Sequence, residues 1–427
     1  MFNFQSALWV LFFTFSLDKV DLMENGMALT PPMGWMSWGY YMCAHDCEED
    51  AEKCLDEKLI LSVADSFYTE GYQEAGYEYI IIDDCWSERK RDDFGRLVAD
   101  RERFPRGMKF IADYIHTRGL KFGMYTNIAN ITCMGYPGSL DHMEIDAQTF
   151  AEWGVDYLKV DGCYVNEQLL NTGYIRLGHY LNGTGRPMVY SCSWPYYTEF
   201  IHKKKPDYGH ISKFCNMWRN YHDVVAEWGA VQAIYQHYER RYHELAPHHG
   251  PGRWNDPDML VFGTGVLTPG QSRIQLVMMV MMSAPILLSC PMNKITPYEK
   301  ELLQNLDLMA VAQDPLGIMA KPHQRGSTAS IWVKPHLPRK GDTFPSYSFA
   351  VVNLDGEGIE ESIKPSTFHL NATDGYTVLV SMIFLSAVLS TAVPCVVGSI
   401  PARNKYLYGL QVVVPGLACC LCDFKCL

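Results

Sequence analysis

From about Leu29 to Asp314, short apolar runs alternate with amphipathic stretches. The runs cover residues 31–38, 77–86, 120–127, 155–163, 187–194, 213–220, 253–261 and 284–290. Between them, Asp56–Ala75, Met108–Arg118, Asp146–Trp153, Tyr174–Leu181 and Gln271–Ser283 read as helices. A strand followed by a helix, repeated, predicts βαβ units and a parallel sheet. Eight such units over residues 27–314 predict an α/β fold, a (β/α)8 TIM barrel. An open doubly wound sheet is the alternative. No glycine-rich phosphate loop follows the first run, which counts against it.

The pattern changes after Asp314. Ser330–Lys334 and Ser346–Leu354 alternate with the period of strands, and Pro, Gly and charged residues separate them. Residues 315–375 therefore predict a C-terminal antiparallel β domain. It is expected to be incomplete, because residues 376–427 have another character. Tyr376–Cys395 is apolar and uncharged, and LACCLCDFKCL follows it. Three readings of this tail stand open: a membrane span, a buried β segment, or a chain end foreign to the rest.

The strand YLKVDGCY, Tyr157–Tyr164, holds the first hint of chemistry. Alternate side chains share a face, so Lys159, Asp161 and Cys163 lie opposite Leu158 and Val160. A charge on the inner face of an apolar strand is costly unless paired or used. More polar residues gather where the other runs stop: Trp38, Asp83, Asp84, Tyr125, Ser193, Trp194, Tyr197, Arg219, Asp223, Asp256 and Asp258. A barrel collects those strand ends into one mouth. Aspartates that accept from hydroxyls, beside aromatic faces, suit a sugar, and glycoside hydrolysis needs two carboxylates. A metal is the competing use of clustered aspartates. No HxH or HExxH pattern accompanies them, so no metal and no cofactor is expected.

Composition narrows the partners. Net charge is -12 with no long basic run, which argues against nucleic acid and for a small molecule or glycan. Fourteen cysteines suit an oxidising compartment. Ala7–Phe15, ALWVLFFTF, has the length of a signal-peptide core, so residues 1–20 are expected to be a signal peptide. Sequons at Asn130, Asn182 and Asn371 are expected glycosylation sites. Together these predict the secretory pathway, with a lysosomal or secreted destination.

Eight motifs now stand together: TPPMGWMSW, GYEYIIIDDCW, GRLVADRERFP, DAQTFAEWGVDYLKVDGCY, RPMVYSCSWP, CNMWRN with Asp223 after it, GPGRWNDPDML and VAQDPLG. On them, the chain resembles glycoside hydrolase family 27, the melibiase-like α-galactosidases and α-N-acetylgalactosaminidases, from about Met27 to Asp355. The resemblance implies a retaining exo-glycosidase acting on terminal α-linked galactose of glycolipids, glycoproteins or oligosaccharides. Asp161 matches the nucleophile and Asp223 the general acid/base. Asp223 must start protonated, so a raised pKa and activity at acidic pH are expected. Trp38, Asp83, Asp84, Tyr125, Lys159, Arg219 and Asp258 match sugar contacts, with Tyr197 beside them. The implied disulfides are Cys43–Cys85, Cys47–Cys54, Cys133–Cys163 and Cys192–Cys215. A homodimer is the family's assembly.

The choice of sugar rests on SCSWPYY, residues 191–197. Galactose-specific relatives carry Glu and Leu where this chain has Ser193 and Tyr196. Relatives that accept N-acetylgalactosamine carry Ser and Ala. Ser193 matches the second group and Tyr196 neither. α-Galactosidase activity is the first reading, and α-N-acetylgalactosaminidase or dual activity the second. A glycan-binding protein without catalysis is a remote third, because both carboxylates are present.

Overall fold

The structure is a computed structural model. It describes residues 25–44, 46–50, 52–325, 329–337, 346–354, 359–363, 376–381, 410–414 and 419–426. The expected signal segment 1–20 and the sequon at Asn371 lie outside these residues.

All eight apolar runs contain a strand. These are β1 Met33–Met36, β2 Tyr79–Ile81, β3 Lys121–Asn127, β4 Tyr157–Asp161, β5 Val189–Cys192, β6 Met217–Arg219, β7 Trp254–Asp256 and β8 Ile286–Leu288. They form one sheet in the order β7-β6-β5-β4-β3-β2-β1-β8. Every pairing is parallel. A parallel bridge from Leu260 to Leu288 joins the two ends, so the sheet closes as the expected (β/α)8 barrel. Gly34 makes the contact between β1 and β2: a Cβ there would run into the Tyr79 carbonyl.

The helices follow from local chemistry. Glu57–Thr69 starts at Asp56, whose side chain accepts from the Leu59 N–H, a standard N-cap. It buries Ile60, Val63, Ala64 and Phe67, the i, i+3, i+4, i+7 stripe of an amphipathic helix. Pro269–Met282 begins in a capping box between Thr268 and Gln271. This helix buries residues on nearly every side, because it packs against the barrel and against a second sheet. The sequence pattern did not bring out Trp228–Leu245, Pro297–Leu303 or Leu306–Ala312 as helices. The first carries Glu, Arg and His among its apolar positions, which blurs the period. The other two are a turn or two long.

The second sheet is antiparallel. It contains β9 Lys321–Arg325, β10 Ala329–His336, β11 Ser346–Asn353, β13 Tyr376–Ser381 and β15 Cys419–Cys426, in the order β13-β15-β11-β10-β9. β12 Ile359–Ile363 pairs with β14 Leu410–Val414 in a separate ribbon. The cysteine-rich end of the chain therefore runs as a strand between β11 and β13. The start of the apolar run, Tyr376–Ser381, is a strand as well. Among the described residues no helix is long and apolar enough to cross a membrane.

Trp332 and Lys334 of β10 fasten this sheet to the barrel. The Trp332 ring packs 5.6 Å from that of Tyr235, and its indole donates to the Tyr235 hydroxyl at 3.0 Å. The Lys334 ammonium is fully buried. It donates to the carbonyls of Val280 at 2.9 Å and Val311 at 2.5 Å. Both belong to last turns of helices, where free carbonyls favour a cation. Lys334→Met should remove these charge-assisted bonds and cost about 1.5–3 kcal/mol. Calorimetry should show a lower Tm, while the turnover of the folded fraction stays at the wild-type value.

Candidate active site

Strand alternation and barrel closure bring the polar strand ends together. A cavity of about 210 Å³ is lined by Trp38, Asp83, Tyr125, Cys133, Lys159, Asp161, Cys163, Ser193, Tyr196, Tyr197, Arg219, Tyr221 and Asp223. Pockets for drug-sized ligands run to about 300–1,000 Å³, so this one suits a single sugar ring. Two larger depressions, about 560 Å³ each, lie elsewhere on the surface. The smaller cavity holds the chemistry, because two buried cations face carboxylates there. Ten of the predicted site residues line it: Trp38, Asp83, Tyr125, Lys159, Asp161, Ser193, Tyr196, Tyr197, Arg219 and Asp223. Asp84 and Asp258 do not.

Lys159 and Asp161 project from β4 beside Tyr125 of β3, with Tyr125 in register with Lys159. The Tyr125 hydroxyl donates to Asp161 Oδ2 at 2.8 Å. The disulfide sulfur of Cys133 lies 3.5 Å from the same oxygen. The Lys159 ammonium pairs with Asp83 Oδ2 at 2.7 Å, with both side chains almost wholly buried. Burial pushes Asp83 above its ordinary value even so, because the loss of water outweighs the pull of Lys159.

Asp84 is a builder of loops. Its Oδ1 accepts from the Cys85 N–H at 2.7 Å and its Oδ2 from the Met134 N–H at 3.0 Å. It thus ties the loop after β2 to the loop after β3. Burial raises its carboxyl to about 6.

Asp223 stands at the opposite wall. Its Oδ1 accepts from Arg219 Nη2 at 3.0 Å and its Oδ2 from the Trp38 indole at 3.3 Å. Its side chain is 57% exposed. The raised pKa expected of Asp223 is not what its protein surroundings give. Withdrawal from water raises the carboxyl. The Arg219 guanidinium, then the Lys159 ammonium and the two hydrogen bonds, outweigh that and hold it below the usual range. Arg219 is only 4% exposed. Its Nη1 meets Asp258 Oδ1 at 2.9 Å, and its Nε is buried without a partner.

Tyr196 is held toward the cavity by rings. It stacks on Phe200 at 5.5 Å and meets His222 edge-on at 5.4 Å. Tyr197 opens a π-helical turn, Tyr197–Ile201, and its hydroxyl donates to Cys163 Sγ at 2.9 Å. Tyr221, Cys133 and Cys163 are lining residues that the reading of the sequence did not propose as ligand contacts. The cysteines sat in the motif but were assigned only to a bond, and Tyr221 lies between Arg219 and Asp223 in plain view.

Among the described residues four disulfides join Cys43–Cys85, Cys47–Cys54, Cys133–Cys163 and Cys192–Cys215, with Cα separations of 5.4, 4.9, 5.3 and 6.1 Å. These are the expected pairs. The first ties the loops after β1 and β2, and the third those after β3 and β4. Cys290 is buried and makes no disulfide among the described residues. Asn130 and Asn182 are exposed.

Residues 30–314 match a family model described as alpha galactosidase A. The alpha-N-acetylgalactosaminidase of Gallus gallus is 46% identical over 315 residues, which cover 73% of this chain and 78% of that one. The alpha-galactosidase A of Homo sapiens is 43% identical over 357 residues, 81% of this chain and 82% of that one. Among solved structures, alpha-galactosidase I from Mortierella vinacea is similar with a TM-score of 0.76 and 26% identity, over 94% of this chain and 98% of that one.

The buried Lys159–Asp83 pair carries a testable consequence. Lys159→Met leaves Asp83 buried without its cation, and its pKa rises further. A carboxyl that holds its proton more tightly folded than unfolded stabilises the fold at low pH. That contribution is lost as pH rises through the folded value. The Tm of Lys159→Met should therefore trail wild type more at neutral than at mildly acidic pH. kcat/KM should fall by roughly a hundredfold. Melting scans and rate assays across pH check both.

Proposed function

The chain belongs to the alpha galactosidase A family and is a glycoside hydrolase, and from that premise we propose that it releases terminal α-linked galactose by double displacement. The observation that carries this reading is the pair of aspartates at one ring-sized cavity. Asp161 is held by the Tyr125 hydroxyl. Asp223 is held by Arg219 and Trp38.

In the first step an Asp161 oxygen bonds to the anomeric carbon while the bond from that carbon to the leaving oxygen breaks. The Asp223 proton passes to the leaving oxygen. In the second step Asp223 takes a proton from water, the water oxygen bonds to the anomeric carbon, and the bond to Asp161 breaks. Asp83 and Lys159 form a charged floor for ring hydroxyls. The unpartnered Arg219 Nε is a donor left over for one more, since a buried donor without an acceptor is costly. A sugar seated in the mouth would take water from the Asp223 carboxylate, and that loss of solvation favours its protonated form.

Tyr196 supports galactose over N-acetylgalactosamine. Phe200 and His222 hold its ring against the cavity, where it takes up room an acetamido group would need. The second reading, α-N-acetylgalactosaminidase activity, draws on Ser193 and on the name of the 46% identical Gallus gallus relative. Passage through the secretory pathway is supported by the four disulfides and by two exposed sequon asparagines.

Rates on matched nitrophenyl α-galactoside and α-N-acetylgalactosaminide test the choice. The galactoside should be cleaved with the higher kcat/KM, and the reverse order would select the second reading. Tyr196→Ala should raise the ratio toward N-acetylgalactosamine by roughly tenfold or more. Asp161→Asn should lower turnover by at least about a thousandfold while calorimetric titration still detects the sugar. Undiminished turnover in that variant would remove Asp161 as the nucleophile.

A further inference from the structure

Asp258 is 3% exposed and does not border the cavity, yet both its oxygens reach the segment that carries Asp223. Oδ1 meets Arg219 Nη1 at 2.9 Å. Oδ2 accepts from the backbone N–H of Val224, the residue after Asp223, at 2.7 Å. Arg219 closes the ring through Nη2, 3.0 Å from Asp223 Oδ1. One guanidinium therefore lies between two carboxylates, and one of those carboxylates also grips the chain next to the other.

The grip is itself fixed. The Asp258 N–H donates to Asp256 Oδ1 at 2.8 Å. The Asp258 backbone has φ 78°, a region that residues other than glycine seldom enter. Such a conformation at a buried side chain with every oxygen committed marks a place where position matters.

We propose that Asp258 is a positioning residue for the proton donor: it fixes Asp223 through the Val224 amide and Arg219, and its charge offsets the guanidinium so that Asp223 can carry a proton. The proposal rests on the reading of Asp223 as the acid.

The charges around Asp223 favour this. Two cations act on it, Arg219 and Lys159. Lys159 is already matched by Asp83. Arg219 is matched by Asp258, with Asp256 and Asp161 as further anions acting on the guanidinium. Tyr196 and Tyr197 also face Asp223, and both are neutral because burial raises their hydroxyls. Trp38 donates to it and carries no charge. Without Asp258 the guanidinium acts on Asp223 with much less opposition, and Asp223 loses its proton at lower pH. Burial lifts the Asp258 carboxyl to about 7 while the cations lower that of Asp223, so below that pH the two carboxylates on one guanidinium hold one proton between them, and the alkaline limb of the rate profile belongs to the pair.

The test is the pH profile of kcat/KM for the full chain on two α-glycosides of the preferred sugar. One has an alkyl leaving group that needs protonation, and the other a dinitrophenyl group that does not. In wild type the alkaline limb should lie at lower pH for the alkyl substrate. Asp258→Asn should move that limb toward acid by about one pH unit and leave the dinitrophenyl profile in place. Asp258→Ser, which also removes the charge, should give the same displacement and serves if the first variant fails a circular dichroism check of folding. Asp258→Glu should bring the limb back toward wild type. A limb that stays in place in the uncharged variants, while wild type still distinguishes the two leaving groups, overturns the role of Asp258 alone. A wild-type limb blind to the leaving group removes Asp223 as the acid and overturns the proposal together with the reading beneath it.

Discussion

The site depends on two cations buried at the end of a parallel barrel. Lys159 and Arg219 are 5% and 4% exposed, in surroundings where an unpaired charge is not tolerated. Each is matched by a buried aspartate: Lys159 by Asp83, and Arg219 by Asp258. This matching fixes which carboxylates are free for chemistry. Asp83 and Asp258 are committed to their cations. Asp161, held by a neutral tyrosine hydroxyl, and Asp223, more than half exposed, are the lining carboxylates outside those buried pairs.

The same constraint explains why the loops are stapled. Charge pairs of this kind need atoms kept within a few tenths of an ångström. Asp83 and Asp258 lie just past the ends of β2 and β7, where the strand ladder no longer holds them. Disulfides across the β1–β2 and β3–β4 loops, and from β5 to the segment before β6, limit how far those loops drift. The Asp84 carboxylate adds a polar staple between the loops after β2 and β3. The barrel supplies direction for the side chains, and the staples supply position.

Much of this was legible in the sequence, and the reasons are physical. The eight strands were visible because strands of a parallel barrel, buried on both faces, read as short apolar runs. Lys159 and Asp161 were visible because charge inside such a run is costly. Who pairs with whom was not visible. Alternation puts Lys159 and Asp161 on one face, but only barrel closure brings Asp83 of another strand to the ammonium. Composition likewise marked out Tyr376–Cys395 and LACCLCDFKCL without saying what they form. Strand pairing is a long-range event: Cys419–Cys426 finds β11, more than sixty positions back, through backbone hydrogen bonds that side-chain composition does not encode.

Tyr196 illustrates how pairing decides specificity. Considered alone, a tyrosine beside Ser193 could turn in or out of the cavity, and the preference for one sugar would be open. Its neighbours remove that freedom. Phe200 comes one helical turn later on the same segment, and His222 comes from the loop after β6, beside Asp223. A ring packed on two others gives up contact and stacking energy to swing away. The Tyr196 wall of the cavity is thus coupled to the loop that carries Asp223. A change in Tyr196 that relaxes the wall also loosens packing against His222, the residue before Asp223. Tyr196 and Asp223 share a support here, so a variant that widens the wall without disturbing Asp223 needs a replacement that keeps the contact to His222.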